Sequence, residues 1–195
     1  MKISVSKEDL LNGLQSVQNV VGTRSTLPIL SNVLLIATED RIELRATDLE
    51  VSIHARVPAN VEREGASTLP ARRIYGLVRE IEATEIEIEI SDKEIATVQA
   101  GGASYKLHGI GAEEFPPEAK FKESGKIKLQ QSKLREMLRK TAYAVSTDES
   151  RHTLNGINFI AEPERITLVA TDGRRLALVE EEIEGATKGQ FIMPS

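Results

Sequence analysis

The chain has 195 residues, and its only histidines, His54, His108 and His152, stand far apart, with none of the short spacings that bring two ligands to one metal ion. Cysteine is absent, which removes thiolate metal sites, cysteine nucleophiles and disulfides together. The carboxylates that stand out are Asp48 and Asp172, each preceded by Ala-Thr, and Arg151-His152 lies near the second in sequence. A carboxylate and an imidazole across a cleft can act as the acid–base pair of a hydrolase. A residue that recurs with its neighbours is explained more directly by a repeated structural role, such as an Asp side chain that closes the turn after a strand. The sequence holds no Walker-type phosphate loop, no Gly-x-Ser-x-Gly and no dinucleotide fingerprint.

Binding chemistry is better represented. Between Lys126 and Lys140 the only acid is Glu136, among Lys126, Lys128, Lys133, Arg135, Arg139 and Lys140. Such a cluster can neutralise phosphate, although a formal net charge of -5 argues against a protein that wraps nucleic acid with its whole surface. Residues 80 to 94, by contrast, are mostly acidic. The first eight residues become charged too early for a secretory signal, and no segment reaches about 18 consecutive apolar residues.

The elements that must position these groups are written twice, at a spacing of about 124 residues. Ile36-Ala37, Arg41-Ile42, Leu44 and Ala46-Thr47-Asp48 match Ile160-Ala161, Arg165-Ile166, Leu168 and Ala170-Thr171-Asp172. The same offset pairs Ile3 with Ile127, Leu10 with Leu134, Leu14 with Leu138, Val21 with Val145 and Pro70 with Pro194. Arg24 with Thr26-Leu27 matches Arg151 with Thr153-Leu154 only if the register slips by three. Each copy is expected to open on a short strand and an amphipathic helix. In the first helix, residues 7 to 21, Leu10, Leu11, Leu14, Val17 and Val21 face inward and Asn12, Gln15, Gln18 and Asn19 outward. In the second, Leu134, Met137, Leu138 and Val145 face inward, with Ser132 as the expected N-cap.

Strands are expected at residues 32–38, 41–47 and 51–57. A second unit of the same kind follows, with a strand at 67–69, a helix at 71–81 and strands at 85–90, 95–100 and 104–108, the last two joined by Gly101-Gly102. The alternation Glu85-Ile86-Glu87-Ile88-Glu89-Ile90 puts isoleucine on one face of a sheet and solvated glutamate on the other. Residues 115 to 125, rich in Pro and charge, read as a linker. Ser195 corresponds to Ala71, so the counterpart of residues 72 to about 120 lies outside the sequence, and a piece of a longer chain with a weakly stabilised second copy is expected.

Four stretches, Arg24–Leu30 with Asn32, Ala46–Glu50, Arg151–Gly156 with Phe159, and Ala170–Leu176, resemble the bacterial β sliding clamp family of DNA polymerase III. The resemblance implies an α+β DNA-clamp fold of repeated strand-helix-three-strand units, antiparallel sheets outside and helices inside. It implies an N-terminal clamp domain over residues 1–121, the first half of a middle domain over 122–195, and an absent third domain. The implied function is that of a processivity factor, a head-to-tail homodimeric ring around double-stranded DNA. Such a ring tethers the replicative polymerase in the cytoplasm, without a cofactor, a metal or catalysis of its own. Arg24, Arg72, Arg79 and Arg151, then Lys133, Arg139 and Lys140, become candidate phosphate contacts, indifferent to base sequence.

Leu154, Thr171, Gly173, Arg174, Arg175 and Leu176 match half of a pocket for short peptide motifs of polymerases, the clamp loader and repair proteins. Arg174 stands where the family has His or an aromatic. Tyr105 and Leu107 match an apolar pair at the subunit junction. Two other readings are a repeat module that binds peptides without encircling DNA, and a hydrolase using Asp172 and His152.

Overall fold

Alternating burial and helical spacing build the first unit in chain order. Strand β1 (Lys2–Ser6) runs into helix α1 (Lys7–Gln18), followed by β2 (Asn32–Thr38), β3 (Arg41–Thr47), β4 (Ser52–Pro58), β5 (Asn60–Arg63) and β6 (Gly65–Pro70). Helix α2 (Ala71–Glu80) and strands β7 (Glu85–Ile90), β8 (Ile95–Ala100) and β9 (Ala103–His108) complete it. The structure, a computed structural model, describes residues 1–21, 27–118, 127–148 and 150–194. Its internal contacts separate Met1–Glu118 from the residues that follow.

All strand pairs of this unit are antiparallel, in two sheets ordered β4-β3-β2-β6 and β5-β1-β7-β8-β9. Strand β5 was not expected. It has a single apolar residue, Val61, and is a strand because it pairs with β1 at a sheet edge. The β7 isoleucines Ile86, Ile88 and Ile90 are buried and its three glutamates exposed. Gly101, at φ 59°, makes the β8–β9 turn with Gly102.

Helix α1 starts where the Ser6 hydroxyl accepts the Asp9 N–H at 3.5 Å, with Glu8 and Asp9 in the first turn. It stops at Gln18, short of the expected Val21, before two β-branched residues that are buried beyond the helix. Its buried stripe, Leu10, Leu14 and Val17, shares one core with Ile74 and Val78 of α2 and with β-strand residues Leu35, Leu44 and Ile88. Each such side chain contributes roughly 2 kcal/mol of burial. Gly13 allows the close approach to β4: a Cβ there would lie 2.5 Å from Val57 Cγ2.

The second unit holds helix α3 (Gln131–Thr141) and strands β10 (Gly156–Glu162), β11 (Arg165–Thr171), β12 (Leu176–Glu182) and β13 (Gly189–Pro194). Its sheet, ordered β12-β11-β10-β13, repeats β4-β3-β2-β6 with the same register. Val33 faces Leu69 as Ile157 faces Met193, and Leu34 faces Arg45 as Asn158 faces Val169.

Four expectations for this unit need correction. The helix is preceded by Gln130, which makes no side-chain cap, while Ser132 lies within the first turn. Val145 is buried, but as the extended residue that ends the 3-10 turn Ala142–Ala144 after the helix. No strand forms over the described residues 127–130, although Ile127 and Leu129 keep the inward alternation of Ile3 and Val5. A strand needs a pairing neighbour: β1 has two, β5 and β7, whereas no described strand pairs with residues 127–130. The slip of three is not needed either: Leu27 and Arg151 both precede a 3-10 turn, closed by Leu30 N–H to Leu27 O (3.1 Å) and by Leu154 N–H to Arg151 O (2.8 Å). Leu27 therefore corresponds to Arg151, at the offset that relates the strands. Among the described residues no helix is long and apolar enough to cross a membrane.

Candidate functional site

The recurring Asp residues close turns. In the first unit Asp48 accepts N–H bonds from Glu50 (3.0 Å) and Val51 (2.7 Å), while the Thr47 hydroxyl accepts from Leu49 N–H and donates to Val51 O. In the second, Asp172 accepts from the N–H of Arg174 (2.9 Å) and Arg175 (3.0 Å), and the Thr171 hydroxyl accepts from Gly173 and donates to Arg175 O. The residue after each Asp has positive φ, 81° at Leu49 and 86° at Gly173. The backbone N–H of Arg174, then that of Arg175, hold the Asp172 carboxyl below its ordinary pKa. Asp172 is thus committed to its turn, and no hydrogen bond or ion pair links it to His152 among the described residues. His54 and His108 lie on β4 and β9, each an edge strand of its sheet.

The candidate peptide residues gather at this turn and along the neighbouring strands. Leu154 and Thr171 line a depression of about 420 Å³ together with Val169, Phe191 and Ile192. Arg175 reaches back to Asp172 Oδ2 (3.0 Å) and lies 5.7 Å from the centroid of the Tyr143 ring. Leu176 is 64% exposed. Gly173 lies at the other side of the turn, where the Arg151 guanidinium comes within 3.4 Å of a Cβ built on it. Arg174 is exposed. Sequence reasoning missed Phe191, Ile192 and Tyr143. Phe191 stacks on Phe159 at 4.8 Å, and the two are direct partners across β10 and β13; that pairing was the available signal.

The candidate phosphate contacts divide by environment. Arg24 lies outside the described residues. Arg72 and Arg79 occupy one exposed face of α2, a helix with no acid in its first turn. Arg79 pairs with the adjacent Glu80 at 2.9 Å. On α3, Arg139 is exposed, Lys140 pairs with Glu136 at 2.7 Å, and Lys133 is bound to Glu181 of β12. Arg151 is held by Asp148 at 3.3 Å. A second, larger depression of the same unit is lined mainly by glutamates of β10, β12 and the loops beside them. Among the described residues no group of three or more His, Asp or Glu side chains is placed to hold a metal ion. On β9, Tyr105 is 40% exposed and Leu107 half-buried, on the side of the sheet that Val98 and Ala96 present to the core.

Residues 1–119 match the family model described as the DNA polymerase III beta subunit, N-terminal domain, and residues 128–195 match its central domain. A beta sliding clamp from Chlamydia trachomatis is 35% identical over 100% of this chain and 47% of its own length. One from Bacillus subtilis is 29% identical over 94% of the chain and 51% of its own length. The crystal structure of the Bacillus subtilis clamp superposes with a TM-score of 0.94 at 28% identity, covering 100% of this chain and 54% of the other. That of Caulobacter crescentus gives 0.92 at 35% identity, again over 100% and 54%. The chain spans about half the length of the relatives it matches. The mixed fold of antiparallel sheets and few helices, the duplicated Thr-Asp turn and both family matches agree: the chain belongs to the DNA polymerase III beta subunit family, the sliding clamps.

Proposed function

We propose that this chain supplies the N-terminal domain (residues 1–121) and the first half of the middle domain (122–195) of a DNA replication processivity factor. In the longer protein two such chains close head to tail around duplex DNA and tether the replicative polymerase in the cytoplasm, without catalysis by the ring. The observation that carries this reading is the superposition of the whole chain on solved clamps at a TM-score of 0.94. The basic face of α2 in the first unit, and Arg139 and Arg151 in the second, each suit contact with phosphate that leaves base edges unread. Arg24 joins them by resemblance. Arg79, Arg151, Lys133 and Lys140 must each exchange an acid partner for phosphate, so Arg72 and Arg139 contribute most.

The Leu154–Leu176 surface supports docking of short peptides, with apolar side chains in the depression and Arg174 and Arg175 at the rim. A clamp from Pseudomonas aeruginosa has been solved bound to griselimycin, so a member of the family does accept a ligand of its own. Tyr105 and Leu107, on the strand at one edge of its sheet, fit the subunit junction. The test uses a chain extended to the length of its relatives. Loaded onto nicked circular duplex, it should coelute with the DNA and be released when the circle is cut. Equal retention on linear and circular DNA would rule out the ring and favour a peptide-binding module.

A further inference from the structure

Strand pairing sets a matching row of side chains across one face of the four-stranded sheet in each unit. In the first unit the row is His54, Arg45, Leu34 and Thr68, one each from β4, β3, β2 and β6, each directly opposite the next. In the second it is Leu178, Val169, Asn158 and Ile192. Val33 and Leu35 point into the helix core, so Leu34 and its row lie on the opposite face. In the second unit this row is open. Leu178 and Ile192 are 56% and 45% exposed, and Val169, Asn158 and Ile192 line the depression of about 420 Å³. In the first unit the row is covered: Leu34, outside the helix core, is only 7% exposed, and Thr68 is fully buried.

The segment that leaves β9 is tied to both ends of the covered row. At β6, Thr68 N–H donates to Ile110 O (3.0 Å) and Ile110 N–H to Thr68 O (3.2 Å). The Thr68 hydroxyl also donates to Ile110 O (2.8 Å) and accepts from the Asn32 side-chain amide (2.9 Å). Eight residues on, the Glu118 carboxylate accepts from Arg45 Nη1 (3.1 Å) and lies 3.8 Å from His54 Nε2. Glu43 draws on Arg45 as well (2.9 Å), but it also has Arg56 opposite it on β4. Thr68 and Arg45 are two strand spacings apart, about 10 Å, and eight extended residues reach about 27 Å. The segment therefore crosses the row with slack, which the 3-10 turn Ala112–Glu114 takes up. Where the first unit has Asn32, Thr68 and Arg45, the second has Gly156, Ile192 and Val169, so none of these side-chain holds has a counterpart there. We infer that residues 110–118 are a strap that fills, on the first unit, the place that stands open as a groove on the second, and that docking is confined to the second unit while the strap is seated. The confinement rests on the peptide reading of the second-unit groove; the seating of the strap does not.

The chain has no cysteine, so a single one introduced into it reports on its own surroundings. Leu34→Cys should react with a maleimide about tenfold more slowly than Asn158→Cys, its counterpart in the open depression. Glu118→Lys, which sets a like charge against Arg45, should speed the Leu34→Cys reaction severalfold and leave that of Asn158→Cys unchanged. Hydrogen exchange on the cysteine-free chain covers the case in which Leu34→Cys does not fold. There Glu118→Lys should speed exchange over residues 110–115, whose bonds include Glu114 N–H to Gly111 O (3.2 Å) and Phe115 N–H to Ala112 O (3.1 Å), and leave β13 unchanged. The inference is overturned if Leu34→Cys reacts as fast as Asn158→Cys, or if Glu118→Lys leaves exchange over 110–115 as it was. Neither readout uses a peptide, so a second-unit groove that binds none would count against the peptide reading and leave the strap standing.

Discussion

Replacing Leu14 and Leu138 by Ala, one at a time, measures how far the second copy falls short of the first. The two leucines correspond in the repeat, but Leu14 is 1% exposed, in the core that α1 shares with α2, whereas Leu138 is only half-buried in the α3 core. Leu→Ala deletes three carbons, about 2–3 kcal/mol of transfer free energy when fully buried, and a partly collapsed cavity raises the loss at Leu14 to about 3–4 kcal/mol. At Leu138 the already exposed half contributes nothing and solvent can fill the gap, leaving about 1–1.5 kcal/mol. Amide hydrogen exchange read by peptide fragments reports each unit separately within the intact chain. Leu14→Ala should speed exchange in the first unit's core by a factor of roughly a few hundred, and Leu138→Ala in the second by about tenfold. If the two substitutions cost the same, the face of α3 is as well covered as that of α1, and the account of an incomplete second core is wrong.

Gly13→Ala gains helix propensity but puts a Cβ 2.5 Å from Val57 Cγ2. It should lower stability by about 1–3 kcal/mol in urea unfolding, and a stabilised variant would refute the close helix–strand approach. The Asp172 carboxyl, held low by the N–H of Arg174 and then Arg175, stabilises its turn at pH values above the ordinary carboxylate pKa of about 3.9. That stabilisation is lost as pH falls through its lowered folded value, so its NMR titration midpoint should lie below that of a free Asp; a midpoint at or above it would contradict the geometry. For duplex DNA, Arg72→Gln should reduce the slope of log K against log salt by about 0.9, one phosphate contact's worth, and adding Arg79→Gln should reduce it by less than that again, because Arg79 is already paired with Glu80. Arg165→Gln, whose parent side chain is paired with Glu162 and Glu180, should leave the slope unchanged.

The sequence disclosed what local pattern and repetition can carry. The Glu-Ile alternation named β7 to the residue, Gly101-Gly102 named the turn between β8 and β9, and the recurrence of Asp48 and Asp172 pointed to turn closure. Features set by partners distant in sequence stayed hidden. Strand β5 exists by pairing with β1, and the segment 127–130 has the strand pattern but no pairing neighbour among the described residues. Lys133 reads as a free helix cation until it is seen bound to Glu181, and Phe191 as a strand residue until it stacks on Phe159. The match of Thr26-Leu27 to Thr153-Leu154 misled because identical letters were weighed above the constant offset that the backbone keeps.

Net charge was the least informative quantity of all, and the first unit shows why. The carboxylates Glu85, Glu87 and Glu89 are exposed on β7 and Arg72 and Arg79 on α2, two different elements packed on one core. A packed layer is roughly 10 Å thick, and the Debye length at physiological salt is about 8 Å. An anion approaching α2 therefore meets the arginines at contact distance, while glutamates on β7 more than a Debye length away are largely screened. A protein of net charge -5 can hold a polyanion on its helices, and the same separation keeps that polyanion from settling on its sheets. Such a surface needs no sequence-reading side chain, only a one-sided distribution of cations, which fits a partner that must be held and still allowed to move.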